Sequence, residues 1–196
     1  VWEGLRPTTR SLLERALSSA ASAPQPPAAR AGASYDARAE WELSRLLAAL
    51  DDRASETGTA VLSEAQAHEL GRMAETCALV LQNEARSAEV FAQLLARTLR
   101  TRDYSRIDAL ADKISARLAP SEVCELARHP NPAVRAIAQE ALAQAPTPAL
   151  VELLGDPVDS DVARDALERQ AEEYGSEEAR WIVSALERAD AAEDDM

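Results

Sequence analysis

The chain is poor in the residues that build sheets. Aromatics make up 4% of its 196 residues, glycine occurs six times and phenylalanine once. Strands draw on aromatic and β-branched side chains, so this composition argues against a sheet core and predicts an all-α chain. Positive charge is also scarce, with 21 bases against 34 acids and a formal net charge of -13. Phosphate-backbone binding needs clustered cations to release counterions, so direct DNA or RNA binding is disfavoured. No apolar run approaches the roughly 18 residues of a membrane span, and no membrane partner is expected.

Cysteine is limited to Cys77 and Cys124, 47 residues apart and without CxxC or CxxH spacing. A chain of this length can bury a core without covalent staples, so both read as buried free thiols of a reducing, cytoplasmic compartment. Lysine occurs only at Lys113 while arginine and alanine abound. That skew reads as GC-rich bacterial coding rather than as arginine-specific chemistry.

What is present is helical periodicity. Leu5, Leu12, Leu13, Ala16 and Leu17 fall on one side of a short helix over 1–21, and SAPQPPAARAGAS at 22–34 reads as a Pro/Ala-rich linker. The first helix has three readings: it docks back on the body, which is preferred; it is a tethered helix offered to a partner; or its Arg- and Ser-rich composition marks a targeting segment. A helical domain is expected over 35–189. Ser34 would cap a helix whose apolar side holds Trp41, Leu43, Leu46, Leu47 and Leu50. Ser63 with Gln66 is a capping-box pattern opening a helix through Leu70, Met73, Cys77, Val80 and Leu81. Phe91, Leu94, Leu95 and Leu99 define the next helix, and Ile107, Leu110, Ile114 and Leu118 another.

The segment 120–175 carries an internal repeat. Ile137-Ala138-Gln139-Glu140-Ala141-Leu142 matches Val162-Ala163-Arg164-Asp165-Ala166-Leu167 at an offset of 25 residues, each copy preceded by a proline turn, LARHPNP and LLGDP. Asn131 before Pro132 and Thr147 before Pro148 read as caps, because proline at the first helical position gives up an N–H that has no partner anyway. Periods of this length signal stacked helix pairs, since one pair cannot bury its own apolar face.

The wording HPNPAVR followed by APTPALVELLGDP resembles HEAT-like repeats, and more closely the leucine-rich repeat variant family. The second copy, DPVDSDVAR, departs from the Pro-x-Val-Arg junction. The resemblance implies a right-handed α-solenoid whose surface binds proteins or peptides. A helix over 176–189 would close the stack with Trp181, Ile182, Ala185 and Leu186 inward, followed by an acidic tail at 190–196. Some variant-repeat proteins carry an iron–sulfur module with its own cysteine cluster; this chain has no such cluster, and no cofactor is expected.

His68 and His129, the only histidines, lack a neighbouring His or Cys at ligand spacing, so no metal site is expected. GxxxxGK[ST], GxGxxG and GxSxG are absent, leaving phosphate-loop and nucleophile-elbow chemistry without support. Arg164 with Glu168, Asp165 with Arg169 and Arg169 with Glu173 are spaced for helical ion pairs. Arg135 is expected to bond an acid of the adjoining repeat, with ligand recognition as its other role. Trp2 stands outside the core pattern as a partner anchor, beside Leu12, Leu13 and Leu17 of the first helix. Asp165, Glu172 and Glu173 belong to the acidic end, where residues 151–196 carry a net charge of -11.

The leading expectation is therefore a non-enzymatic scaffold or adaptor that binds a protein, in particular a basic one. One alternative is an acidic inhibitor that imitates nucleic acid to occupy a DNA- or RNA-binding protein. The other is a helical enzyme or cofactor protein with a site between helices, which a deep pocket of convergent side chains would favour.

Overall fold

The computed structural model describes residues 2–21, 35–55 and 63–194, and among these all regular structure is helical. The linker at 22–34, the Ser34 cap and the break at 56–62 lie outside the described residues. None of the described helices is long and apolar enough to cross a membrane. The chain divides into two compact units, Val1–Arg86 and Ser87–Met196, a division that falls inside the stretch expected to form one domain.

In the first unit a short 3₁₀ turn, Trp2–Gly4, precedes α1 (Pro7–Ala21), α2 (Ala37–Ser55) and α3 (Glu64–Glu84). All three helices pack on one another, with Leu13, Leu43, Leu46, Leu47, Cys77 and Leu81 in the core. Asp36 opens α2, its Oδ1 accepting the N–H groups of Arg38 at 3.0 Å and Ala39 at 3.1 Å. The Ser63–Gln66 capping box opens α3 with both reciprocal bonds in place.

A carboxylate fixes α1 to α2. Glu42, only 5% exposed, accepts from Arg6 Nε at 2.9 Å, from the Thr9 hydroxyl at 2.6 Å and from the Arg6 N–H at 3.3 Å. A buried charge is tolerated only when its lone pairs are filled, and three donors from the start of α1 fill these. Burial alone would push the Glu42 carboxyl up, but these bonds outweigh it and hold the group below its ordinary value. Glu40 is buried beside it, taking the Tyr35 hydroxyl and the Arg86 N–H. Trp41, expected on the apolar side of α2, instead stands 53% exposed under the guanidinium of Arg45.

The second unit comprises α4 (Ala88–Thr101), α5 (Tyr104–Arg117), α6 (Pro120–Ala127), α7 (Pro132–Ala143), α8 (Thr147–Leu153), α9 (Ser160–Glu172) and α10 (Glu177–Asp194). Successive helices pair as α4 with α5, α6 with α7 and α8 with α9. Alternate helices stack, α4 on α6 on α8 in one row and α5 on α7 on α9 in the other, and α10 packs on α9. The sequence offset of 25 is reproduced in burial. Ala138, Ala141 and Leu142 of α7 are buried, as are their counterparts Ala163, Ala166 and Leu167 of α9.

The turns between these helices are built differently from one another. Asn131 caps α7, its Oδ1 accepting the Ala133 N–H at 3.0 Å as its place before Pro132 predicts. Thr147 does not cap α8. Its hydroxyl donates to Gln170 Oε1 at 3.0 Å, while Gln170 Nε2 donates to the Ala145 carbonyl at 2.6 Å. A buried glutamine on α9 therefore ties the turn between α7 and α8 to the next pair, a long-range demand that overrides the local cap. Asp159 likewise makes no cap bond and turns to Arg128 at 2.7 Å.

Candidate functional site

The residues singled out as partner contacts fall in both units. In the first, Trp2 and the α1 residues Leu12 and Leu17 are half-buried, while Leu13 is wholly enclosed. With α1 docked on α2 and α3, Leu13 is a core residue and offers a partner no surface. In the second unit, Arg135 donates to the backbone carbonyls of His129 and Pro130, both at 2.9 Å. It therefore braces its own HPNP turn, and the bond expected between adjoining repeats is made instead by Arg128, which reaches Asp159 at 2.7 Å and the Val158 carbonyl at 3.2 Å. The reason is reach: Arg128 ends α6, the helix that packs on both α8 and α9.

Asp165 and Glu172 are exposed and share a face of α9. With about 100° between successive residues, Asp161, Asp165, Glu168 and Glu172 project within an arc of about 60°, at steps of roughly 4.5–6 Å along the axis. Opposite them Ala163, Ala166, Leu167 and Gln170 are buried. The outcome is an acidic stripe along the length of α9, with the helix held from behind. Asp161 and Glu168 complete it, and their spacing of i, i+4, i+7 and i+11 was the sequence signal for it.

Glu173 lies off the stripe in a local network. Arg169 bridges Glu173 at 3.0 Å and Glu140 of α7 at 3.3 Å, so it is not available to Asp165 in the helical pair expected of them. Glu140 also accepts the Tyr174 hydroxyl and Gln144 Nε2. The Tyr174 bond, with Gln144 and Arg169 behind it, holds the Glu140 carboxyl below its ordinary range, while the Tyr174 hydroxyl is raised by the carboxylate it serves. Arg164 pairs with Glu168 at 3.3 Å, as their spacing predicts. Arginine thus neutralises part of the acidic end and leaves Asp161, Asp165 and Glu172 exposed outside these pairs.

On α10 the expected orientation fails for Trp181 and Ala185, two of the four residues placed inward. Trp181 is 77% exposed and Ala185 is exposed, while Ala179 is the fully buried contact and Ile182 and Leu186 are half-buried. Ser176 opens this helix, its Oγ accepting the Ala179 N–H at 3.2 Å. The helix continues to Asp194, through most of the stretch expected as a tail.

A shallow groove of about 420 Å³ lies between Ala88, Ala92 and Ala96 of α4 and Glu125, Leu126 and His129 at the end of α6. His129 Nδ1 accepts the Asn131 N–H at 3.1 Å, which commits that nitrogen to the turn. Among the described residues no three of His, Cys, Asp and Glu converge to hold a metal. Cys77 and Cys124 are buried free thiols; burial pushes the first up to about 12, and burial with Asp159 nearby pushes the second up to about 11. Comparison with protein-family models, curated proteins and solved structures finds no match.

Proposed function

We propose that this chain is a non-enzymatic protein-interaction module that engages a basic surface of a protein partner through the acidic face of α9. The observation that carries this reading is the stripe of Asp161, Asp165, Glu168 and Glu172, set opposite the buried side of a well-anchored helix. Carboxylates in fixed register steer a positive partner and select its orientation while contributing less to raw affinity. The scaffold is read as a right-handed solenoid of HEAT-like pairs, α4–α5, α6–α7 and α8–α9. Support for it comes from the two stacked rows of alternate helices and the matched burial at an offset of 25, together with the HPNPAVR and PTPALVELLGDP wording. A cytoplasmic, bacterial setting goes with this reading.

The test is affinity capture with the full chain at low salt, comparing the natural sequence with a variant carrying Asp161→Asn, Asp165→Asn and Glu172→Gln. A saturable protein partner lost in the variant supports the proposal. No saturable partner, or capture indifferent to the three changes, overturns it. The same stripe also favours a second reading, in which the carboxylates imitate a phosphate backbone and block a nucleic-acid-binding protein. Duplex DNA or RNA would then displace the partner competitively, whereas a partner of the scaffold type would be insensitive to it.

A further inference from the structure

Packing on one neighbour occupies an apolar stripe of roughly 100° on a helix. On α10 the apolar arc is about twice that. Ala179, Ile182, Val183 and Leu186 form the buried and half-buried side, and at about 100° per residue Ala189, Ala185, Ala192 and Trp181 follow on without a gap in the arc wider than about 40°; Glu178 projects into this arc only at its N-terminal end, before Trp181. All four of these are exposed. An isolated surface alanine needs no explanation, but a tryptophan 77% exposed at the edge of such a strip leaves a large apolar side chain in water.

The chemistry around the strip narrows what covers it. Glu177 and Glu178, both exposed, stand one turn before Trp181, and α9 of the same hairpin carries the acidic stripe. Arg188 lies at the same edge as Trp181, about two turns further on, with its Nε on the Ser184 carbonyl at 2.9 Å, and Arg180 is turned to the Ala171 carbonyl. The surroundings remain acidic overall. Residues 151–196 carry a net charge of -11, so two copies docked through this face would bring like-charged ends together, whereas a basic partner is drawn in. Small side chains beside a single large one suit close approach by another helix, with the tryptophan as its anchor.

We infer that the outer face of α10 receives an amphipathic helix of a partner protein, apolar on one side and flanked by lysine or arginine. This rests on the interaction-module reading and names the form of the partner. The probe is a fluorescein-labelled helical peptide with leucine on one face and lysine on the other, titrated against the full chain and followed by anisotropy. The same residues in scrambled order serve as a charge-matched control. Saturable binding is expected, weaker for the scrambled peptide, and Trp181→Ala should weaken it by about tenfold or more. Ala185→Glu adds an acid but obstructs the strip, so it should also weaken binding, whereas a purely electrostatic association would strengthen.

Equal binding of the two peptides, or no loss with either variant, overturns the inference. If that binding is nevertheless abolished by Asp165→Asn with Glu172→Gln, the α9 reading survives while the α10 site fails. If neither peptide binds, both fail for basic helices. Sedimentation of the unliganded chain gives the remaining outcome: a dimer dispersed by Trp181→Ala would assign the face to a second copy and overturn the partner helix.

Discussion

The two compact units solve the same packing problem with different information. The second unit is assembled from local repetition: a helix pair recurs, its buried alanines and leucines fall at matching positions, and alternate helices stack. The first unit depends on contacts between residues 36 and 33 apart, where Arg6 and Thr9 satisfy the buried carboxylate of Glu42 and hold α1 against α2. Repetition makes a structure readable and tolerant, because each element contacts only near neighbours. A single buried charge makes it specific but vulnerable, because losing one partner strands the others.

Breaking the apolar stack should have the largest effect. Leu167→Ala, at a fully enclosed position, is expected to destabilise the second unit by about 3 kcal/mol through lost transfer energy and a cavity. Hydrogen exchange should show protection lost in α6 to α10 and retained in α1 to α3. An equal loss in both units would mean that they unfold together. Next, Glu42→Gln keeps the shape but removes the charge from three bonds, and should cost about 2 kcal/mol, read as lost protection in α1 ahead of α2 and α3.

The same clasp sets a pH dependence. The Glu42 carboxyl lies lower in the folded chain than in the unfolded one, so the unfolded chain binds its proton first as pH falls. Its contribution is complete above the ordinary glutamate range and is lost as pH drops through the lower folded value. The protection of α1 amides, relative to their intrinsic exchange rates, should fall on acidification below about pH 4. With Glu42→Gln that acid-dependent step should disappear; a step that persists would assign it to other carboxylates.

Smaller effects follow for the second unit. Asp159→Asn, which weakens the bond from Arg128 while leaving the stacked apolar side chains alone, should cost about 1 kcal/mol, seen as a modest fall in melting midpoint. Smallest is Trp181→Ala, expected within about 0.5 kcal/mol of the parent because the side chain is mostly in water. A larger loss would show that Trp181 supports the fold rather than a partner.

Legibility followed the range of the interactions. The Ser63–Gln66 box and the Asn131 cap depend on neighbours two or three residues away, and both stand in the structure as their spacing implies. Thr147 has an equally local pattern, yet its partner Gln170 lies 23 residues distant; Arg135, expected to reach an acid of the adjoining repeat, turns back on its own loop, and Arg128 instead reaches Asp159, 31 residues away. Trp181 shows a different limit. Periodicity ranks residues by angle around a helix, and when the apolar arc spans about 200° it does not say which half meets the core. Trp41 is a different case: at about 100° per residue it falls nearly opposite Leu43, Leu46, Leu47 and Leu50, so the spacing itself sets it on the outer side, where its ring lies beneath Arg45.

By itself the sequence determined the helical class, several helix starts, the offset of 25 and the concentration of acid in residues 151–196, because each follows from composition or near-neighbour spacing. Tertiary structure alone decided that Glu42 would be buried and anchor α1, that Leu13 would be core, that Arg128 rather than Arg135 would reach the next pair, and that Trp181 would face water. Those outcomes depend on which surfaces meet, and desolvation and long-range hydrogen bonding act only once they have met.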